Sequence, residues 1–401
     1  MLTFISESET MLMFKIHRSS GKIMIRYFIK ALFSLLLFVA ASSSPSFSNN
    51  HEASGTHDTK TVQQAAANLP SLVDAVRFPD EIRLCDVRVP IENQDVRERL
   101  EKAMLLALWD RAQVILWLKR SSKYFPHIEK IIEEKNVPPD IKYVAVVESA
   151  LRPHVRSHRG AVGFWQFLRS TGKRYGLRID ARIDERRNLF RSTEAACDFL
   201  TNLHDRFDSW LLAMAAYNMG GYSLSKKIER QKTDDFFTLY LPLQTQQYIF
   251  KIIAAKLIME NPAKYGFDFE KNDYYEPFSF DRVNITSSEQ IPLTLVSEAA
   301  GIPFKQVKDM NPEIRGYYLA KGQNSVLIPD GRAEGFKDRF ASLYGEWEKN
   351  YSGRVHMVKR GENLSLIAKK YQVSLSALLR MNNLSRRSII HPGDRLIIQN
   401  P

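Results

Sequence analysis

Residues 139–151 read PDIKYVAVVESAL. Ile141, Val144, Ala145 and Glu148 fall at i, i+3, i+4 and i+7, so one helix face carries three apolar side chains and a carboxylate. The pair Pro138-Pro139 interrupts the chain just before, and Asp140 stands at the start of the new helix. A carboxyl on an apolar face loses solvation, which raises its pKa. A carboxylic acid protonated near neutral pH can act as a general acid. The same pattern also describes a glutamate reaching water from a helix end, and this segment alone does not separate the two.

Two further stretches sharpen the reading. SHRGAVGFWQF, residues 157–167, is loop-like, with Gly160 and Gly163 beside Trp165, Gln166 and Phe167. Closely spaced glycines next to a tryptophan and an amide predict tight backbone packing around a polar group. Ser157 and Gln166 carry hydrogen-bonding side chains suited to a polar ligand or to the carboxylate, whereas Trp165 and Phe167 also read as ordinary core. SWLLAMAAYNMGG, residues 209–221, predicts an apolar helix from Trp210 to Tyr217 that stops at Asn218, Gly220 and Gly221. Tyr217 and Asn218 at that end either face a cleft or serve as a core aromatic and a cap.

Taken together, these segments resemble the lytic transglycosylases of lysozyme-like fold, most closely the membrane-bound type D. The resemblance rests on Glu148-Ser149, Ser157, Gly160-Ala161-Val162-Gly163, Trp165-Gln166-Phe167 and Ala216-Tyr217-Asn218-Met219-Gly220, in family order and spacing. Residues 112–132 resemble the helical lead-in of the same subfamily, and the likeness spans about residues 80–260. Any one of these motifs is weak; the combination is specific. Three positions depart from the family. Arg152 stands where Asn is common, Arg169 where Pro is usual, and Gln244 replaces a carboxylate in Leu241-Pro242-Leu243-Gln244-Thr245-Gln246-Gln247-Tyr248.

The resemblance implies a lysozyme-like, mainly α catalytic domain acting on peptidoglycan glycan strands. Glu148 would be the catalytic acid, with Ser157, Gln166, Tyr217, Asn218 and Tyr248 binding substrate. The expected reaction cuts between N-acetylmuramic acid and N-acetylglucosamine and leaves a 1,6-anhydromuramic end without consuming water. A hydrolytic muramidase on the same fold and a non-catalytic wall-binding protein are the alternatives. The resemblance calls for no cofactor and no metal.

The last fifty residues form a separate unit. Strands near Val355–Val358 and Arg395–Ile398 bracket two short helical faces, Leu364/Ile367/Ala368/Tyr371 and Leu375/Leu378/Leu379, the second capped by Ser374. This small α+β arrangement, β-α-α-β, resembles the LysM carbohydrate-binding module. By that resemblance, glycan binding falls to Gly361, Glu362, Asn363 and Leu364 in one loop and to Met381 and Asn382 in the other. Residues 285–329 repeat a weaker version of the pattern.

The amino terminus carries five Lys/Arg within residues 1–30, then an apolar block, Ala31 to Ala41, then Ser42, Ser43, Ser44 and Pro45. That order is the signature of a secretory signal peptide, and the block is too short for a confident membrane span. No cysteine follows it, so no lipid anchor is expected, and the mature chain is expected in the periplasm, associated with the wall. The expected layout is a signal at 1–41, a flexible tether at 42–75, the catalytic domain at 76–275, a degenerate LysM-like region at 276–332, a linking helix at 333–352 and a LysM domain at 353–401.

Across 401 residues there are 57 Lys/Arg and 45 Asp/Glu, a net +12. This excess favours an anionic partner without choosing one. The positive charge is dispersed and no nucleic-acid motif appears, so nucleic acid is not expected as a partner. Two cysteines, Cys85 and Cys197, exclude a disulfide-dense scaffold and a four-cysteine zinc site. No dedicated dimer helix is evident, and oligomeric state stays open.

Overall fold

The computed structural model describes residues 71–352, 355–382 and 384–398. The expected signal peptide and nearly all of the expected tether lie outside them. The tether's last residues differ from expectation: Ser71 accepts from Val73 N and caps a helical turn, α1, Leu72–Ala75. A two-stranded ribbon follows, β1 Arg83–Leu84 paired antiparallel with β2 Val87–Arg88.

The helical domain contains α2 Gln94–Trp109, α3 Arg111–Glu134, α4 Lys142–Ser149, α5 Arg169–Arg174, α6 Leu189–Phe207, α7 Trp210–Met219, α8 Gly221–Gln231 and α9 Leu243–Glu260. Periodicity predicts one helix over 94–119 and another over 125–135. The break instead falls at Asp110, whose carboxylate accepts from Gln113 N and starts α3. That helix then runs through Pro126. An interior proline costs about 3 kcal/mol, but the buried stripe Val114, Leu118, Ile128, Ile131 and Ile132 continues across it, and packing outweighs the lost bond.

The organising element is α9, which packs against α2, α4 and α7. Ile249, Phe250, Ile252, Ile253, Ala254, Ala255 and Ile258 are all buried, so the helix is apolar around most of its circumference, as an interior helix must be. Each fully buried large side chain contributes about 1.5–3 kcal/mol. The buried carboxylate of Asp140 is paired twice over. Asp140 accepts from Cys85 N at 2.7 Å and meets Lys256 at 2.8 Å, and so ties the amino-terminal ribbon to α9. Cys85 and Cys197 are both buried free thiols, so the two do not pair.

After Tyr274 the chain becomes a small α+β unit. Strand β3, Asp281–Ser287, pairs antiparallel with β6, Gly322–Ile328, in the register Asp281↔Ile328 to Ser287↔Gly322. Between them lie β4 Ile291–Pro292, α10 Leu293–Ala300, α11 Phe304–Met310 and β5 Tyr318–Leu319. A second, smaller unit has β7 Val355–Met357, α13 Leu364–Lys370, α14 Leu375–Met381 and β8 Arg395–Ile397, with β7 and β8 antiparallel. The connection, α12 Phe336–Ser352, packs on α10.

The two units share one internal latch. Asn311 Nδ2 donates to Val307 O and Leu327 O, and its Oδ1 accepts from Leu327 N. Asn382 Nδ2 donates to Leu378 O and Ile397 O, and its Oδ1 accepts from Ile397 N. In each, an asparagine closing the second helix clamps the final strand. The first unit is joined to the helical domain through Glu313, whose Oε1 accepts from Asn188 Nδ2 and whose backbone oxygen accepts from Asp184 N.

Candidate active site

Glu148 sits in the last turn of α4, one residue before the helix ends. Ile141, Val144 and Ala145 on its face are fully buried, as the periodicity requires. Ala150 and Leu151 both take left-handed backbone angles, φ 52° and 57°, which stops the helix abruptly. Non-glycine residues at such angles cost energy and need support from their surroundings. Leu151 is completely buried and Arg120 Nη1 donates to Ala150 O, so packing and a hydrogen bond hold the turn.

The Glu148 side chain is half-buried, and its Oε1 accepts from the Tyr248 hydroxyl at 2.7 Å. Desolvation lifts its carboxyl to about 7, and the Tyr248 hydrogen bond opposes that rise. Among the described residues no second carboxylate contributes to the shift. Burial and the nearby Glu148 push the hydroxyls of Tyr217 and Tyr248 well above the usual tyrosine range, which keeps both as neutral donors.

The glycine loop is a scaffold around this acid. Ser149 Oγ donates to Phe164 O and to Ala145 O, binding the loop to α4. Gly163, at φ 88°, lies against the backbone of Arg186: a Cβ there would sit 1.7 Å from its carbonyl oxygen. Arg186 is itself buried, with a two-point ion pair to Asp184, and its Nη1 donates to Gly160 O and Phe167 O. Sequence reading overlooked this arginine. The signal was its place two residues after Asp184. Asn188 caps α6, accepting from Arg191 N, while Thr193 lies inside the helix and accepts from Trp165 Nε1 at 3.0 Å.

The sequence-derived residues divide by contact. Tyr248 touches Glu148 directly. Tyr217 donates to Trp165 O at 2.5 Å, and Asn218 Oδ1 accepts from Thr245 Oγ1 at 3.0 Å, so both brace the walls around the acid. Ser157 Oγ accepts from Ala161 N, and Gln166 Nε2 donates to Val155 O and Gly163 O; these side chains shape the loop. Trp165 and Phe167 are core. Of the departures, Gln244 is exposed, Arg152 Nε donates to Ser149 O, and Arg169 opens α5 while its Nη2 donates to Ile179 O. A first helical position suits proline equally well.

In the terminal unit, Glu362 Oε2 accepts from Lys359 N and meets His356 Nε2 at 2.6 Å. Asn363 caps α13, Leu364 is buried, Asn382 forms the latch, and Met381 ends α14 half-buried. Gly361 takes φ 88° in the turn after β7. Most of these side chains are engaged internally.

Three family models match parts of this chain. The Transglycosylase SLT domain model matches residues 126–239, a range holding Glu148 and the glycine loop. The LysM domain model matches 356–399, and the model described as Lytic transglycosylase MltD, LysM-like domain matches 279–345. Over 381 residues the chain is 31% identical to membrane-bound lytic murein transglycosylase D of Escherichia coli strain K12, covering 86% of this chain and 82% of that protein. The chain belongs to this family. The LysM-like match spans the unit that carries the Asn311 latch. A shorter match, 33% identical over 122 residues, is to the peptidoglycan transglycosylase gp16 of Escherichia phage T7, covering 29% of this chain and 9% of that protein. Among solved structures, the 70 kDa soluble lytic transglycosylase of Escherichia coli aligns at a TM-score of 0.32 with 16% identity, covering 44% of this chain and 30% of that one.

Proposed function

We propose that this chain is a peptidoglycan lytic transglycosylase in which Glu148 is the single acid and base. The observation that carries the reading is the carboxyl of Glu148, desolvated at a helix end and held by Tyr248 at 2.7 Å. Ordinary glycosidases need two carboxylates flanking the bond. A lone acid fits a reaction whose nucleophile belongs to the substrate.

In that reaction protonated Glu148 gives its hydrogen to the glycosidic oxygen as the bond to the muramoyl anomeric carbon breaks. The N-acetyl carbonyl of the same sugar stabilises the cationic carbon. Ionised Glu148 then takes the proton from the C6 hydroxyl as its oxygen bonds the anomeric carbon. The products are a free N-acetylglucosamine end and a 1,6-anhydromuramic end, and Glu148 is again protonated. Because the attacking hydroxyl is in the same ring, its effective concentration is high. Tyr248 steadies the carboxylate between the two steps, and Tyr217, Asn218, Ser157 and Gln166 hold the surrounding walls.

The carboxy-terminal module, with the loops at Gly361–Leu364 and Met381–Asn382, serves to hold the enzyme on glycan. Residues 1–41 direct export, which places the enzyme in the periplasm, where this substrate lies. Digestion of purified sacculi with mass analysis of the products tests the reaction. Anhydro products, one water lighter than hydrolytic ones, are expected. Products with reducing ends establish a muramidase instead, and intact sacculi establish a binding protein.

A further inference from the structure

Beside the Glu148 site lies a groove of about 470 Å³ that the reaction above does not use. Helices α2, α3 and α9 form it, with Val147 of α4 at its edge. Leu243, Gln247, Lys251 and Ala254 line it as one stripe of α9, and Tyr248 is on the next stripe, about 100° around the helix. Val147 stands in the same relation to Glu148. The groove therefore runs alongside the acid, one helix stripe away on both α4 and α9, and the largest share of its wall comes from α2, ahead of the matched catalytic segment.

Its chemistry is that of a peptide site. Leu106 and Leu243 give exposed apolar surface. Lys102 and Lys251 supply positive charge and Glu98 negative charge, and none of the three enters an ion pair or hydrogen bond among the described residues. Deeper, Gln113 Nε2 and Trp117 Nε1 are shielded from solvent with no hydrogen-bond partner. A buried N–H without a partner costs about 1–3 kcal/mol, and a backbone carbonyl or carboxylate from a ligand would satisfy it. Lys102, Lys251 and Glu98 are exposed charges that an amphoteric ligand would pair and that a neutral sugar would leave to water.

We propose that this groove binds the amphoteric stem peptide carried by the muramoyl sugar, with Lys102 and Lys251 facing its carboxylates, Glu98 its free ammonium, and Gln113 and Trp117 its backbone oxygens. The identity of the peptide rests on the function proposed above; its binding can be read without catalysis.

The test is titration of the full chain, by calorimetry or NMR, with the free tripeptide L-alanyl-γ-D-glutamyl-meso-diaminopimelate. Saturable binding is expected. K102E/K251E should weaken it about tenfold or more, given two exposed charge contacts changed from attraction to repulsion. W117F, which removes the unpartnered donor together with part of the indole's packing surface, should weaken peptide binding whatever change it makes to Tm. A purely structural Trp117 predicts no change in peptide affinity. In parallel, wild type should cut intact sacculi faster than amidase-stripped glycan, and K102E/K251E should lose that preference while cutting stripped glycan at the wild-type rate. Absence of saturable binding, or binding that survives both variants, overturns the proposal. So does dimerisation abolished by K102E/K251E without peptide binding, which marks a contact between copies. Peptide binding without cleavage of either glycan leaves the groove standing and removes the transglycosylase reading; cleavage without peptide binding does the reverse.

Discussion

The Tyr248 hydroxyl donates to Glu148 Oε1 across 2.7 Å, joining two residues one hundred positions apart in sequence. This contact opposes burial in the charge preference of the acid. Burial favours the protonated carboxyl and the hydrogen bond favours the ionised one, with burial prevailing.

Removing the hydroxyl should therefore move the pH profile in a known direction. In Y248F the carboxyl loses the contact that lowers its pKa, so the alkaline limb of kcat/KM shifts to higher pH. The rate at the optimum should fall about tenfold or more as the carboxylate loses its positioning partner. A pH–rate profile on soluble glycan fragments reads both effects. An alkaline limb that stays in place or moves to lower pH contradicts the assignment.

A raised carboxyl pKa also makes a statement about stability. Below the unfolded value near 4.5, Glu148 is protonated in both states and costs nothing. Between there and about 7 the folded protein binds the extra proton, so stability falls as pH rises, and above about 7 the loss is complete. E148Q escapes this loss. Relative to wild type it should gain about 1–3 kcal/mol between pH 4 and pH 8, the upper figure discounted for partial exposure. Urea unfolding at the two pH values measures it, and an unchanged difference contradicts a desolvated Glu148.

Much of this site was legible in the chain. The i, i+3, i+4, i+7 face of Ile141, Val144, Ala145 and Glu148 needed only helical periodicity, and the glycine pair signalled close packing. What was not legible depends on partners distant in sequence. Nothing local in sequence links Tyr248 to Glu148. Ser157 and Gln166 read as ligand contacts because short-range sequence does not show that Ala161, Val155 and Gly163 already use them. Arg186 escaped notice because its value lies in the carbonyls of Gly160 and Phe167. The gap expected between helices at 94–119 and 125–135 is absent because the core packing of α3 continues across it.

The loop glycines should differ sharply in tolerance. Gly163→Ala places a methyl 1.7 Å from Arg186 O at a positive φ, and should cost about 4 kcal/mol or more with loss of activity. Gly160→Ala has φ 81° but open space, so only the backbone penalty of about 1–2 kcal/mol applies. Thermal melts of the two variants give the comparison. Equal costs contradict the close approach at Gly163.

The shared latch predicts parallel losses in the two carboxy-terminal units. Asn311→Ala and Asn382→Ala each remove three hydrogen bonds, at a cost of about 2–4 kcal/mol where the freed groups stay buried. Asn311 is fully buried and Asn382 only half-buried, so the first should cost more. Hydrogen exchange at the Leu327 and Ile397 amides reports each unit separately. Unchanged protection in either variant contradicts the latch.

The account stands on the protonation of one side chain, and the most direct measurement is a carbon-13 titration of the Glu148 carboxyl in the intact chain, assigned by its absence in E148Q. A midpoint near 7, rising further in Y248F, is the expected result. A midpoint near the ordinary glutamate value of about 4.3 would show a solvated, ionised carboxylate unable to donate at neutral pH, and would contradict the account.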